Sequence, residues 1–508
     1  LRLFNQEYWD IDSLDLSGAS TWGVYISGDQ GVLHHIHLID LAVHDVMGGT
    51  LRHKESGLVS ITPSSAQSHF DGVLVDGVTA WNTNQWVGIL IGGGDLGYPP
   101  ESDWSENAEI RNSTIHDVQG DGIVLFRVRH GRIDSSVAWN TGMQDTESIG
   151  TPNAIWTWMC DDCTVENNEA YLTDSPGVDG GAYDIDYGNT KNSVIDNYAH
   201  DTQGYCIAVF GAGFVTRQSV VRGNLCIDNG RSPRMANYQG ALFLLTWNGG
   251  SIDGLTMENN TVYWNPFENA PAVLSNADIA PGTAVFRNNT IHSTAAWMMS
   301  SNSSLALTQN TYDYYSDLAG NPLAEWRIGK TSFHSLGAMA AATRGANAGS
   351  YARHSLASWP LAGYWTARAR SATPGSLAST WSLRCDLPVT LDAHGWIDDA
   401  ALRQIVVLRS FAQQYRALGL RVTLDLTAPD ASVFATPAFH NDLADLALQG
   451  MTVSMSHPEK PYTTALTAPN GKVVDQWQGF AGPVQLGLAL RKALGQPLYA
   501  QMRAATDE

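Results

Sequence analysis

The segment Val165-Glu166-Asn167-Asn168 decides the reading of this chain, because the spacing of its apolar residue and its last asparagine recurs down the sequence. The same pair stands at Val194/Asn197, Val221/Asn224, Met257/Asn260, Phe286/Asn289 and Leu307/Asn310. A buried Asn at a repeated turn can bond the backbone of its own coil and of its neighbours, while tolerating the left-handed conformation such a turn needs. Stacked coils then share an asparagine ladder. A second unit, a small residue followed by an alternating strand, begins at Gly23, Gly57, Gly88, Gly122, Ala154, Ala182, Cys206 and Ala241. Motif spacings of roughly 20–36 residues without a helical period are the mark of a solenoid.

With runs such as Asn167-Asn168 and Asn288-Asn289 in its turns, residues 1–315 resemble the right-handed parallel β-helix of the pectin-lyase-like superfamily. A β-sandwich accounts poorly for the aligned asparagines. The resemblance implies about ten coils. Because the chain starts inside coil-like sequence, its first coil is expected to lack a cap of its own or to take one from a partner.

The chain has 508 residues, a net charge of −21, 16% charged residues and 5 Cys. Residues 1–315 hold 13 Lys+Arg against 36 Asp+Glu, so the acidity belongs to the solenoid. Such a surface excludes nucleic acid and an anionic membrane as partners, since both require basic residues to displace counterions. No apolar run approaches the roughly 18 residues of a membrane span, and Leu1-Arg2-Leu3-Phe4 does not open a leader peptide. A secreted or periplasmic location is expected. Five cysteines do not make a disulfide framework, and Cys160-x-x-Cys163 is expected as a local disulfide or two free thiols.

Residues 316–380, rich in Ala, Ser, Gly and Arg, read as a connector packed on the solenoid. From 381 strands and helices alternate: strand Val389–Leu391, helix Asp398–Leu418, strand Arg421–Leu426, helix Ala438–Gln449, a hairpin around Asn470-Gly471, and helix Val484–Leu494. With Pro461 before Thr463-Thr464, the turn Pro469-Asn470-Gly471-Lys472 and Gly479, this tail resembles the thioredoxin-like fold. Where that family carries Trp-Cys-x-x-Cys, this chain reads Trp396-Ile397-Asp398-Asp399-Ala400, and Cys385 stands alone. Without an attacking and a resolving thiol there is no dithiol exchange. A structural cap or docking platform is the expected role. The fold class is therefore mainly β, a right-handed parallel β-helix over 1–315 with a smaller C-terminal α/β thioredoxin-like domain over 381–508.

Alternation along strands puts Ile155, Tyr183 and Ile207 inside and their neighbours outside. The outward column then reads Val124/Phe126, Trp156/Trp158, Asp184/Asp186, Ala208/Phe210 and Phe243/Leu245. Two aspartates beside two exposed tryptophans form a sugar-binding constellation, because aromatic faces hold sugar rings. Carboxylates at i and i+2 lie about 6.6 Å apart on a strand, near the separation used by inverting glycosidases. Asp184 and Asp186 are the expected acid and base, with Asp179 a further catalytic candidate. Trp156, Trp158, Phe126, Phe210, Glu147, Arg127 and His200 are the expected substrate contacts. Asp121, Asp201, Arg129 and His130 stand nearby in turns.

No resident metal is expected, although Ca²⁺ is possible if the protein is a polysaccharide lyase, since an acidic solenoid would meet a polyuronate through a bridging cation. His34-His35-x-His37 has no acidic or thiol ligand at a recognised spacing and reads as ordinary histidines. Gly92-Gly93-Gly94 lacks the Gly-Lys-Ser/Thr of a phosphate loop. The Asn-Thr-Asp and Gly-His-Gly motifs of polygalacturonases are missing. The expected function is a glycoside hydrolase acting on a neutral or weakly charged polysaccharide or oligosaccharide. The alternatives are a Ca²⁺-dependent lyase and a non-catalytic carbohydrate-binding module.

Overall fold

The structure, a computed structural model, describes residues 1–48, 54–93, 101–142, 150–175, 178–230, 240–264, 270–293, 297–302, 305–313, 324–343, 345 and 348–350, and in the remainder chiefly 381–391, 420–437, 451–479 and scattered helical positions. The chain divides into two units, Leu1–Tyr314 with Pro322–Ser350, and Tyr315–Asn321 with Tyr351–Glu508.

The first unit is a parallel β-helix with three sheets. One coil shows the plan: Ile155–Trp158 lies in the first sheet, Thr164–Glu166 in the second, Glu169–Tyr171 in the third, and Tyr183–Ile185 returns to the first. Inward residues of successive coils, such as Ile155, Val165 and Ala170 followed by Tyr183, Val194 and Ala199, form one continuous apolar core. Burial of these side chains supplies the main favourable free energy.

The asparagine ladder closes the turn between the second and third sheets. Asn197 Oδ1 accepts from the Asn168 backbone N at 2.9 Å and from Asn168 Nδ2 at 3.1 Å, while Asn197 Nδ2 donates to Val165 O at 2.9 Å. Asn224, Asn260, Asn289 and Asn310 repeat this pattern. Every ladder asparagine is buried. The left-handed residue is the one before it, namely Asn167, Asp196, Gly223, Asn259, Asn288 and Gln309. The ladder also extends beyond the asparagines. Asn168 Oδ1 accepts from Ser136 N at 2.9 Å, and Ser136 Oγ accepts from Ser113 N at 3.1 Å.

Cys160 and Cys163 are free and buried, and they take a parallel role at the other turn. Asn189 and Asn192 accept from Cys160 N and Cys163 N, while the two thiols donate to Leu125 O and Val128 O at 3.3 Å. They therefore replace ladder asparagines sterically and in hydrogen bonding. A disulfide instead joins Cys206 to Cys226, a pairing that the sequence spacing did not single out.

The solenoid runs past residue 315: Glu325–Ile328 pairs with Trp297–Ser301 in the first sheet, and Ala348–Ser350 with Thr311–Asp313 in the third. Residues 351–380 of the expected connector lie outside the described residues.

In the second unit, strands Met451–Ser456, Leu420–Thr427 and Trp381–Pro388 lie parallel, followed by the antiparallel strands Thr463–Thr467 and Val473–Gln478. The first strand thus precedes Val389–Leu391, and Met451–Ser456 is a strand that the sequence reading missed. Trp396 and Asp398–Ala400 lie outside the described residues, while Ile397 is buried. Burial pushes the Cys385 thiol up to about 12, which removes its thiolate at neutral pH.

Asn224→Ala should break the ladder at its centre. It removes the donations of Asn224 Nδ2 to Val194 O and Asn260 Oδ1, and leaves two buried donors of Asn197 without their acceptor. Loss of roughly 3 kcal/mol or more is expected, read as a lower thermal midpoint by circular dichroism. Asn224→Ser should recover part of it, as Ser136 does in place.

Candidate active site on the first sheet

Strand alternation places Asp184 on the outer face of the first sheet, between the inward Tyr183 and Ile185. Parallel register sets it directly beside Trp156 on one side and Ala208 on the other. Asp186 follows the strand end, where its backbone N donates to Thr157 O at 3.0 Å. This outer face is not open as the sequence suggested. Asp184 and Trp156 are buried, whereas Asp186 and Trp158 keep part of their surface accessible.

Four carboxyls gather here. Asp121 accepts from Trp86 Nε1 at 2.5 Å and from Asn153 N at 3.0 Å. Asn153 is the hub, since its Nδ2 donates to Asp184 Oδ2 at 3.3 Å and its Oδ1 accepts from Gly181 N and from the Tyr205 hydroxyl. The same hydroxyl lies 3.1 Å from Asp179 Oδ1. Asp184 Oδ1 is buried and finds no hydrogen-bond partner among the described residues. Lys54 supplies a counter-charge, with its Nζ 6.0 Å from the Trp86 ring centre and 5.9 Å from that of Trp156.

Burial leads every shift in this cluster. It pushes Asp186 up to about 8, aided by the negative charge of Asp179 and opposed by the Tyr187 backbone N–H and by Lys54. Asp179 rises to about 6, with hydrogen bonds from Thr151 and Tyr205 restraining the shift. Asp184 lies well above the ordinary carboxyl range, through burial and the charges of Asp186, Asp179 and Asp121. Asp121 is also raised by burial, with Lys54 opposing. Like charges that share a desolvated site cannot all ionise, and such a site holds acid and base forms together near neutrality.

The other expected contacts divide. Phe126 stacks on Trp158 with ring centres 3.8 Å apart, and the Arg127 guanidinium lies 4.7 Å from the Phe126 ring centre. Arg127 is buried against these rings, so it is a packing partner of Trp158 rather than an exposed anion-binding group. Phe210 follows Ala208 by two residues on the same strand and packs with Tyr205 and Phe243. His200 belongs to the third sheet, not to this site. There it joins an outer column that stacks His116, Trp139, Tyr171 and His200. Burial lowers its pKa, but hydrogen bonds to Asp201 and Glu169 outweigh that and raise it to about 9. Glu147 lies outside the described residues.

Lys54, Trp86, Asn153 and Tyr205 escaped the sequence reading. A signal for two of them was available, since Asp121, Asn153 and Tyr205 each stand immediately before the aligned small residue that opens a first-sheet strand.

The family described as "Right handed beta helix region" matches residues 22–262, which lie within the three-sheet solenoid. The first unit is a right-handed parallel β-helix. Among solved structures, the chain is similar to a GH136 lacto-N-biosidase from Eubacterium ramulus, with TM-score 0.39 and 17% identity over 61% of this chain and 50% of that one. It is also similar to an alginate lyase from Paenibacillus sp. str. FPU-7, with TM-score 0.31 and 14% identity over 56% of this chain and 94% of that one. The chain thus spans half the length of the lacto-N-biosidase chain. No curated protein matches the sequence. Among the described residues, no helix is long and apolar enough to cross a membrane.

The raised carboxyls carry a stability signature. A group whose pKa is higher folded than unfolded contributes stability that is complete at low pH and is lost as pH rises through the folded value. For Asp186 this window runs from the ordinary value of 3.8 to about 8. Asp186→Asn should therefore raise the thermal midpoint relative to wild type at the upper end of this window and leave it nearly unchanged at the lower end.

Proposed function

We propose that this protein is a carbohydrate-active enzyme, a glycoside hydrolase whose chemistry is performed by the first-sheet carboxyl cluster. The reading is supported by one observation above others: partly accessible Asp186 and Asp179 belong to one carboxyl cluster and are raised to different levels. Asp186, still protonated at neutral pH, donates its proton to the departing glycosidic oxygen. Asp179, ionised just above pH 6, takes a proton from the water that attacks the anomeric carbon. Asp121 is a buried neighbour whose negative charge helps to keep both carboxyls raised, and Asp184 is itself raised by burial and by the charges of all three. This replaces the expected Asp184/Asp186 acid–base pair, since Asp184 is buried and driven toward its neutral form. With Asp179 as base, the stereochemical outcome no longer follows from the strand rise between Asp184 and Asp186, and proton NMR of the first-formed anomer reads it.

Trp158 offers the sugar an accessible aromatic surface, whereas Trp156 is buried behind it and braces Lys54. Four acids around one lysine disfavour a polyuronate and suit a neutral glycan. Secretion or a periplasmic location belongs to the same proposal, since the Cys206–Cys226 disulfide fits an oxidising compartment. The second unit is proposed as a thioredoxin-like accessory unit without redox activity. Lys54 also gives a specific reason to keep a lyase as second reading, because elimination from a uronate requires a base near its C5. An unsaturated, ultraviolet-absorbing product would establish that reading instead.

Incubation with a panel of neutral oligosaccharides, followed by product analysis, tests hydrolysis. On a cleaved substrate, kcat/KM should be bell-shaped, limited by groups near 6 and 8. Asp186→Asn and Asp179→Asn should each lower kcat by about 100- to 10,000-fold. Trp158→Ala should raise KM about tenfold with a smaller effect on kcat. A binding module would show glycan affinity with no product in any of these assays.

A further inference from the structure

A different cluster sits on the outside of the second sheet in the first two coils, away from the first-sheet carboxyls. Strands Trp9–Asp12 and Gly31–Ile39 run parallel there, with Asp10 in register with His37. His37 faces outward between the buried Ile36 and Leu38. His35 adopts a left-handed backbone, φ 55°, which shifts the alternation by one residue. His34, His35 and His37 consequently all leave the core.

Two of these imidazoles converge on one carboxylate. His35 Nε2 lies 3.1 Å and His37 Nδ1 3.0 Å from the same oxygen, Asp10 Oδ1. The two rings are 3.8 Å apart between centres, and the three donor atoms all lie within 4.8 Å of one another. Donors bound to one zinc ion at about 2.0–2.2 Å stand roughly 3–3.5 Å from each other. The spacing already on the molecule therefore matches a shared ion with only small rotations of accessible side chains. His34 is turned to the next coil, where Nδ1 lies 3.5 Å from Asp71 Oδ2, and is not part of the set.

We propose that Asp10, His35 and His37 bind one divalent transition-metal ion of the zinc class. Two imidazole nitrogens and one carboxylate oxygen suit borderline ions such as Zn²⁺, Co²⁺ or Ni²⁺, whereas Ca²⁺ and Mg²⁺ select oxygen-only shells. Three protein donors leave at least one coordination position for water or for a group brought by another molecule. The ion ties Trp9–Asp12 to Gly31–Ile39. Trp9–Asp12 is an edge strand of the second sheet, paired on one side only among the described residues. An ion that binds only the folded form stabilises it by mass action. The sequence showed the histidines without a ligand at a recognised spacing, because Asp10 arrives from the preceding coil and not from the same strand.

Isothermal titration of the full chain with zinc chloride, paired with thermal unfolding, tests the site. One zinc ion per chain is expected, weakened about tenfold or more by His37→Ala and by Asp10→Asn. His34→Ala should bind as wild type does. Zinc should raise the thermal midpoint of wild type and not that of His37→Ala, and calcium chloride should not compete. The proposal is overturned if no saturable zinc binding occurs below about 1 mM. It is equally overturned if binding survives the Asp10→Asn, His37→Ala double substitution, or if calcium displaces zinc.

Discussion

A coil that turns three corners leaves backbone donors and acceptors at every corner, and in a buried stack they can be satisfied only by the coil before or after. The asparagine ladder meets this constraint. One side-chain amide both accepts from the neighbouring backbone and donates back to it, so the sheets on either side of the turn keep register coil after coil. The rest of the molecule depends on that regularity. Because the coils do not slip, Trp156, Asp184 and Ala208 remain lateral neighbours on the first sheet, although 28 and 24 positions of sequence separate them.

On such a scaffold a chemical site needs only outward substitutions in adjacent coils and turns that cover them. The solenoid's inner positions stay apolar, while the outer column passes from Val124 through Trp156 to Asp184. Covering that column removes water from the carboxyls and raises them, at a cost in folding stability that the ladder and core offset. The cluster therefore combines a rigid support with groups held away from their ordinary ionisation state.

The sequence made the architecture legible because the ladder is periodic and each of its residues has one steric and hydrogen-bonding job. Asp184, Asp186, Trp156 and Trp158 were legible for the same reason, since strand alternation fixes which way they face. Their exposure was not, because strand alternation says nothing of what packs over the outer face. Lys54 and Trp86 reach the site from other coils without a periodic signature. His200, expected as a substrate contact, instead belongs to a buried stacking column on the third sheet, where Asp201 and Glu169 hold its ring. The cysteines Cys160 and Cys163 read as a local disulfide or two free thiols, and only the geometry of their neighbours shows them as substitutes for ladder asparagines.

On the proposed reading, burial on the first sheet divides a group of like carboxyls into acid and base forms at neutral pH. Carbon-13 NMR titration of the aspartate side chains measures this directly. One carboxyl should titrate near 6 and vanish in Asp179→Asn, and one should titrate near 8 and vanish in Asp186→Asn. If instead every aspartate titrated below about 5, as unperturbed carboxyls do, the cluster would be ionised throughout at neutral pH and could not hold an acid beside a base.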